Sequence, residues 1–293
     1  MRTLVFALLV CLAVPANAQM EDVVIETTPL TDSLHMLSGR GGNLVVCTGE
    51  DGIFLIDDQY APLSQKIMAS IAGIQEGPVR FVLNTHWHGD HTGGNENFGE
   101  TGSVIVAHEN VRARMSVDQF NELFDRETPA SPEGALPIVT FSEGLTFHLN
   151  GLTLEVIHFA RAHTDGDAVV RFAEANVIHT GDIVFDGLYP FIDVDSGGSI
   201  DGVIAACAAI LEMSDDQTKI VPGHGPVLGQ TEVSAYRDML VEIRARVATR
   251  IEAGDDLEAV KASRPTADWD EELGHVWLTA DQVTELVYRS LTE

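Results

Sequence analysis

The chain has 293 residues, and 45 Asp+Glu against 17 Lys+Arg give a formal net charge of −28. So acidic a surface repels polyanions, which argues against a nucleic-acid partner. Hydrophobic residues make up 45% of the chain, enough for a sizeable core, and the length suits one large α/β domain.

The amino terminus reads as an export signal. Met1-Arg2-Thr3 precedes a nearly continuous apolar run from Leu4 to Val14, and Ala16-Asn17-Ala18 follows. One positive charge, a short apolar core and an Ala-x-Ala ending describe a signal peptide over residues 1–18, cleaved after Ala18. The core is shorter than the ~20 residues a spanning helix needs. Cys11 lacks the preceding small residue of a lipoprotein site, so a periplasmic or secreted protein without a membrane anchor is expected. Cys47 and Cys207 remain, read as buried free thiols.

Apolar runs at 43–48 and 52–57, joined by Gly49-Glu50-Asp51, predict a β-hairpin. Helical spacing of Leu63, Ile67, Met68 and Ile71 predicts a helix over 62–73, ended by Gly77-Pro78. A buried strand at 79–84 leads into His86-Trp87-His88-Gly89-Asp90-His91. Three imidazoles and a carboxylate within six positions form the ligand set that zinc accepts. Beyond them the pattern predicts a strand at 103–107 and a helical stretch near 108–125. A proline-broken loop carries Pro129, Pro132 and Pro137. Short strands follow at 145–149, 152–158, 168–172 and 176–180. Further on lie a helix over 199–213, a strand at 219–222 and a long helix from Val233 to Ile251. Two more helices are expected within 255–293.

Two clustered ligand pairs cannot complete the coordination of two ions, so further ligands must come from elsewhere. Three candidates sit on glycine-flanked turns after strand-like runs: His163 in Ala162-His163-Thr164-Asp165-Gly166, Asp182 in Thr180-Gly181-Asp182, and His224 in Pro222-Gly223-His224-Gly225. His35, His108, His148, His158, His179 and His275 lie outside these motifs; His158 and His179, at the ends of strand-like runs, read as hydrogen-bonded core histidines or as supports behind the ligands. Asp57, Asp58, Asp165 and Asp167 are candidate partners for the outer nitrogens of ligand imidazoles. Tyr189 follows Asp182 closely enough to overhang the site and donate to an oxyanion, or else to pack as an ordinary aromatic.

The ordered set His-x-His-x-Asp-His, His-Thr, Thr-Gly-Asp and Pro-Gly-His-Gly resembles the metallo-β-lactamase superfamily of metal hydrolases, over about residues 41–226. The resemblance implies an α/β fold, an αββα four-layer sandwich, over a single domain at 19–293 with a C-terminal helical extension from about 231. It implies that His86, His88 and His163 bind one metal, that Asp90, His91 and His224 bind a second, and that Asp182 bridges them. Two Zn2+ are expected, with Fe or Mn as other divalent possibilities. A hydroxide generated between the metals would attack a carbonyl, with Asp90 orienting it and carrying the proton.

Three functional readings follow, the first two with a small-molecule substrate. The leading one is β-lactam hydrolysis, in keeping with export. The second is hydrolysis of a lactone, ester or thioester, favoured by the carboxylate at 182, as in glyoxalase II and lactonase-like branches. Phe185 stands where some β-lactamases place a substrate-binding lysine. The third is a non-catalytic periplasmic metal-binding accessory protein. Oligomeric state is not legible.

Overall fold

In the computed structural model, residues 18–293 are described; the signal-peptide expectation falls almost entirely outside them. The strands in chain order are β1 (Glu26–Pro29), β2 (Leu34–Ser38), β3 (Leu44–Cys47), β4 (Ile53–Ile56) and β5 (Val79–Leu83). Next come β6 (Val104–His108), β7 (Gln119–Asn121), β8 (Arg126–Thr128), β9 (Val139–Phe141) and β10 (Gly144–Leu149). The last four are β11 (Leu152–Phe159), β12 (Asp167–Phe172), β13 (Val177–His179) and β14 (Lys219–Val221). One seven-stranded sheet runs β1-β2-β3-β4-β5-β6-β9, a five-stranded sheet runs β10 to β14 in order, and β7–β8 form a separate hairpin.

Alternation along the strands explains why the sheets stack. Val45 and Cys47 of β3 face one side and Leu44 and Val46 the other, as the period of two requires. On the inner side Val45, Phe54, Ile56, Leu83 and Val106 meet Leu154, Val156, Val170 and Phe172 of the second sheet. On the outer side of the first sheet, Leu44, Val46, Leu55 and Val82 pack against Ile67 and Ile71 of the helix Ser64–Ile74 and against Leu63 just before it. The outer side of the second sheet, through Val169, Ile178 and Ile220, meets Val203, Cys207 and Ile210 of the helix Ile200–Glu212. The result is the expected αββα sandwich, each fully buried Leu, Ile or Val contributing roughly 1.5–3 kcal/mol of transfer free energy.

The long helix Gln230–Glu252 starts where Glu232 accepts the Gly229 amide at 2.9 Å, the half of a capping box that a glycine permits. Its residues Val233, Leu240, Ile243 and Val247 join Leu286 and Val287 of the helix Ala280–Thr292 in one core cluster. The C-terminal residues thus complete the outer layer. They form three helices, Leu257–Ala262, Asp270–Leu273 and Ala280–Thr292, instead of the expected two. Cys47 and Cys207 are free and buried. No helix among the described residues is long and apolar enough to cross a membrane.

The stretch 108–125 departs from expectation. The helix spans only Glu109–Met115, and the chain then turns into the β7–β8 hairpin. Val111 and Met115 are its buried apolar positions. Beyond them Val117 and Phe120 are exposed, so no apolar stripe remains to hold a longer helix on the core.

Candidate metal centre

Every residue expected at the site follows the C-terminal end of a strand. β5 ends at Leu83 and delivers His86 and His88 on a loop, and the short helix Gly89–Thr92 then presents Asp90 and His91. His163 lies beyond β11, Asp182 beyond β13 and His224 beyond β14. Because β13 and β14 are parallel neighbours, their C-terminal loops emerge side by side. Asn43 ties the loop after β2 to the last of these by donating to the carbonyls of Pro222 (2.9 Å) and Gly225 (2.8 Å). Two glycines permit close approach: a β-carbon at Gly42 would run into the His91 ring, and one at Gly223 into the Asp182 carboxylate.

The side chains converge as two groups, His86, His88, His163 and Asp182 on one side and Asp90, His91 and His224 on the other. His88 Nδ1 lies 3.1 Å from His86 Nε2 and 2.9 Å from His163 Nε2. Asp182 stands between the groups. Its Oδ2 is 3.8 Å from both His86 Nε2 and His163 Nε2 and 3.5 Å from His224 Nε2, and its Oδ1 is 3.1 Å from His91 Nε2. Asp90 Oδ2 is 3.3 Å from His224 Nε2 and 3.7 Å from His91 Nε2.

The outer nitrogens decide which way the lone pairs point. His91 Nδ1 donates to Asp57 Oδ2 at 2.8 Å, His88 Nε2 to Asp193 Oδ2 at 2.8 Å, and His163 Nδ1 to the Phe191 carbonyl at 2.6 Å. His86 Nδ1 donates to Thr85 Oγ1 at 3.1 Å, and that hydroxyl donates onward to Asp57 at 2.8 Å. Each of these four imidazoles therefore turns its other nitrogen toward the cluster, the one a metal ligand uses once it has no proton.

Charge follows the same logic. Burial, with His91 adding repulsion, holds His86 well below the usual imidazole range, and burial together with His88 brings His163 down to about 4. His91 and His224 go the other way. Burial opposes their charge, but Asp182, with Asp57 beside His91 and Asp90 beside both, overrides it, raising His91 well above its ordinary value and His224 to about 10. Burial likewise opposes ionisation of Asp182, yet His91, His224 and His86 hold it well below the carboxylate range. The carboxylates thus draw positive charge into the cluster, and a divalent cation meets the same demand.

The donor set fits divalent metal on geometric grounds as well. Nε2 of His91 and Oδ1 of Asp182 are buried 3.1 Å apart with no other hydrogen-bond partner, so a proton shared between them or a cation must satisfy both. Neutral imidazole and carboxylate suit zinc among other first-row divalent ions. His86, His88, His163 and Asp182 would hold one ion, and Asp90, His91 and His224, with Asp182 between, a second.

Tyr189 is a correction. It is 1% exposed, and its hydroxyl donates to Asp270 Oδ1 at 2.9 Å, with the Thr266 carbonyl at 3.2 Å. It fastens the C-terminal helices instead of overhanging the site. Of the four expected carboxylate partners, only Asp57 holds a ligand imidazole. Asp58 accepts the Gly94 amide, Asp165 pairs with Arg114, and Asp167 caps Thr164. Asp193, beside His88, was not anticipated: it lies in Ile192-Asp193-Val194-Asp195, a stretch without motif. His179 is fully buried, with Nε2 3.5 Å from Asp57 Oδ2.

The two groups open onto a cavity of about 620 Å³, within the range of small-molecule sites. Trp87 forms part of its wall, its indole nitrogen donating to Ser196 Oγ at 3.1 Å.

Comparison with known proteins agrees with this arrangement. The chain is 26% identical over 209 residues to an atrochrysone carboxyl ACP thioesterase of Aspergillus fumigatus, a match covering 71% of this chain and 42% of that protein. It thus spans under half the length of that relative. It is 25% identical over 214 residues to acyl-coenzyme A thioesterase MBLAC2 of Gallus gallus, covering 66% of this chain and 75% of that one. Among solved structures, a metallo-beta-lactamase from Pontibacter korlensis superposes with a TM-score of 0.62 at 21% identity, over 74% of this chain and 99% of that chain, a likeness of fold. Residues 36–244 match the model of the Metallo-beta-lactamase superfamily, and the chain belongs to that superfamily of metal-dependent hydrolases.

Proposed function

We propose that this chain is a dinuclear zinc hydrolase of acyl esters or thioesters, acting outside the cytoplasm. The observation that carries the reading is the Asp182 carboxylate in contact with both imidazole groups, from where it would help to hold an ion in each. Position 185, where a lysine would hold the carboxylate of a β-lactam, is Phe185, 2% exposed and stacked on His224 with centroids 5.7 Å apart. The curated relatives named above are thioesterases, which favours acyl transfer to water over β-lactam opening. Export rests on the reading of residues 1–18 as a leader.

When bound, paired divalent cations supply Lewis acidity and lower the pKa of a water toward neutrality. The chain's own residues do the rest. His86, His88, His163, His91 and His224 hold their neutral nitrogens inward, each of the first four fixed by the outer partner described above. Asp90, half-buried at the cavity side of the second group, is kept ionised by His91 and His224 despite burial. It is placed to orient the attacking water, take its proton and pass it to the departing thiol or alcohol. The cavity walls hold the acyl group over the cluster, so attack becomes effectively unimolecular.

The test is a panel assay of zinc-loaded protein against thioesters, aryl esters, acyl-homoserine lactones and β-lactams. Chelator-sensitive turnover of the acyl esters or thioesters is expected. Turnover confined to β-lactams would replace this reading, and full zinc occupancy with no turnover of any class would return the accessory role. Export is checked by fractionating cells that express the full chain: recovery in the cytoplasm with residues 1–18 intact would reject it.

A further inference from the structure

The cavity over the metal centre has two unlike ends. At one, Phe191 stacks on His88 with centroids 5.7 Å apart, and Phe124 and Trp277 lie 5.4 and 5.7 Å from Phe191. Phe120, on β7, lines the same cavity. Phe120, Phe124 and Trp277 are 50%, 40% and 45% exposed, and an aromatic group left so open at the mouth of a site marks a place where ligand covers it. At the other end, toward Asp90, lies Tyr60, and Arg126 of β8 and Arg40 line the same cavity; burial and Asp90 raise the Tyr60 hydroxyl, and the two guanidiniums oppose that shift. In a chain with 17 basic residues against 45 acidic ones, two guanidiniums stand on this cavity among the carboxylates of Asp90, Asp182 and Asp193. Each is a local positive point that lowers the repulsion an anionic ligand meets from the acidic surface.

The hairpin that carries Phe120, Phe124 and Arg126 is fastened over the site. The Glu122 amide donates to Asp195 Oδ2 at 2.8 Å, Asn121 Nδ2 to Asp193 Oδ1 at 3.3 Å, and Arg289 bridges Glu122 and Asp195. Asp193 also holds His88, so the hairpin and the first metal group share an anchor. The aromatic end adjoins the His88 side of the centre. Tyr60 lies toward Asp90, whose charge it also feels.

We propose that the β7–β8 hairpin and Trp277 select the substrate, an acyl thioester with a large apolar acyl group on the aromatic wall and a carboxylate on its thiol half beside Arg126 and Tyr60. The inference rests on the acyl-hydrolase reading above and deepens it. A substrate laid this way crosses both metal groups, with its carbonyl over the centre and its sulfur toward Asp90. Hydrolysis adds water across the C–S bond: oxygen bonds to the acyl carbon, the C–S bond breaks, and the proton goes to sulfur. The products are a carboxylic acid and a carboxylate-bearing thiol.

The experiment uses zinc-loaded protein and four thioesters, acetyl or 4-phenylbutyryl, each on 3-mercaptopropionate or on neutral N-acetylcysteamine. Phenylbutyryl-mercaptopropionate is expected to have the highest kcat/KM, with each feature contributing about tenfold or more. In Arg126→Gln the carboxylate preference falls toward unity through KM, and Arg126→Lys restores part of it; in Phe124→Ala the preference for the phenyl group falls instead. Calorimetry with the thioether analogue of the best substrate, which cannot be hydrolysed, supplies a reading independent of turnover. If that analogue binds wild type at least about tenfold more tightly than Arg126→Gln while no thioester is cleaved, the selecting wall stands and the acyl-hydrolase reading falls. Turnover with a carboxylate preference absent, or unchanged in Arg126→Gln, overturns the wall. Neither turnover nor analogue binding overturns both.

Discussion

The carboxylate of Asp57 accepts the Nδ1 proton of His91 at 2.8 Å, with both side chains sealed from solvent. Asp57 also takes the Thr85 amide at 2.7 Å and hydroxyl at 2.8 Å, and through that hydroxyl it orients His86. One buried carboxylate therefore sets the direction of an imidazole in each metal group. Its own backbone is left-handed, with φ of 59°, a conformation that Asp and Asn tolerate better than most residues.

Asn at position 57 is therefore a clean probe, since it keeps the backbone and removes the charge. Asp57→Asn is expected to weaken zinc binding by about 10–100-fold, the usual loss when an outer partner of a ligand histidine is changed. Competition against a chromophoric chelator measures it. An unchanged affinity would mean that packing alone orients His91.

Asp90→Asn separates binding from turnover. Loss of the proton carrier should lower kcat by about 10²–10⁴-fold, with KM little changed. Zinc content is measured in the same samples, so that loss of the second ion is recognised. A variant with both ions and wild-type kcat would assign the proton to another group.

Metal uptake should release protons. At pH 7 without metal, His224, raised to about 10 by Asp182 and Asp90 against burial, carries a proton, and so does His91, raised by Asp182, Asp57 and Asp90. Both must lose it to bind a cation. Affinity therefore rises with pH, and calorimetry in buffers of different ionisation enthalpy should show proton release near pH 7. The linked stability has a definite sign. A histidine whose folded pKa lies above its unfolded value stabilises fully below about 6.5 and loses that contribution as pH rises through about 10. Metal-free protein should accordingly be less stable at pH 10 than at pH 7, and the stabilisation by zinc larger. Calorimetric melts with and without chelator test it.

Tyr189→Phe should lower stability by about 1–2 kcal/mol through loss of the hydroxyl's bonds to Asp270 and Thr266. The kcat of the zinc-loaded enzyme should stay within a factor of two. Denaturant melts and steady-state rates are the readouts, and a large fall in kcat without a change in stability would return Tyr189 to the site.

How much of this was legible in the sequence differs from residue to residue. His86, His88, Asp90 and His91 sit in one hexapeptide, Asp182 and His224 each follow a strand beside a glycine, and His163 lies on a turn three residues before Gly166, so local pattern points to all seven. The sandwich layers are readable from continuous apolar runs such as β3 and β4, which suit strands buried on both faces, taken with the family resemblance. The β7–β8 hairpin was not, because two three-residue strands carry too little periodicity to outweigh the helical start at Glu109. Asp193 gives no local signal, since only the fold carries its loop to His88. Tyr189 misled through nearness in the chain: after Asp182 the backbone turns away and buries the ring against the C-terminal helices. The character of the cavity was hidden for a related reason, as Phe124, Phe191 and Trp277 come from three distant segments.

Anomalous X-ray scattering at the zinc edge from crystals of the zinc-loaded protein tests the central claim most directly. Two peaks are expected, one enclosed by His86, His88 and His163 and one by Asp90, His91 and His224, with Asp182 between them. A single peak, or zinc bound away from these side chains, would contradict the dinuclear centre and the hydrolytic chemistry built on it.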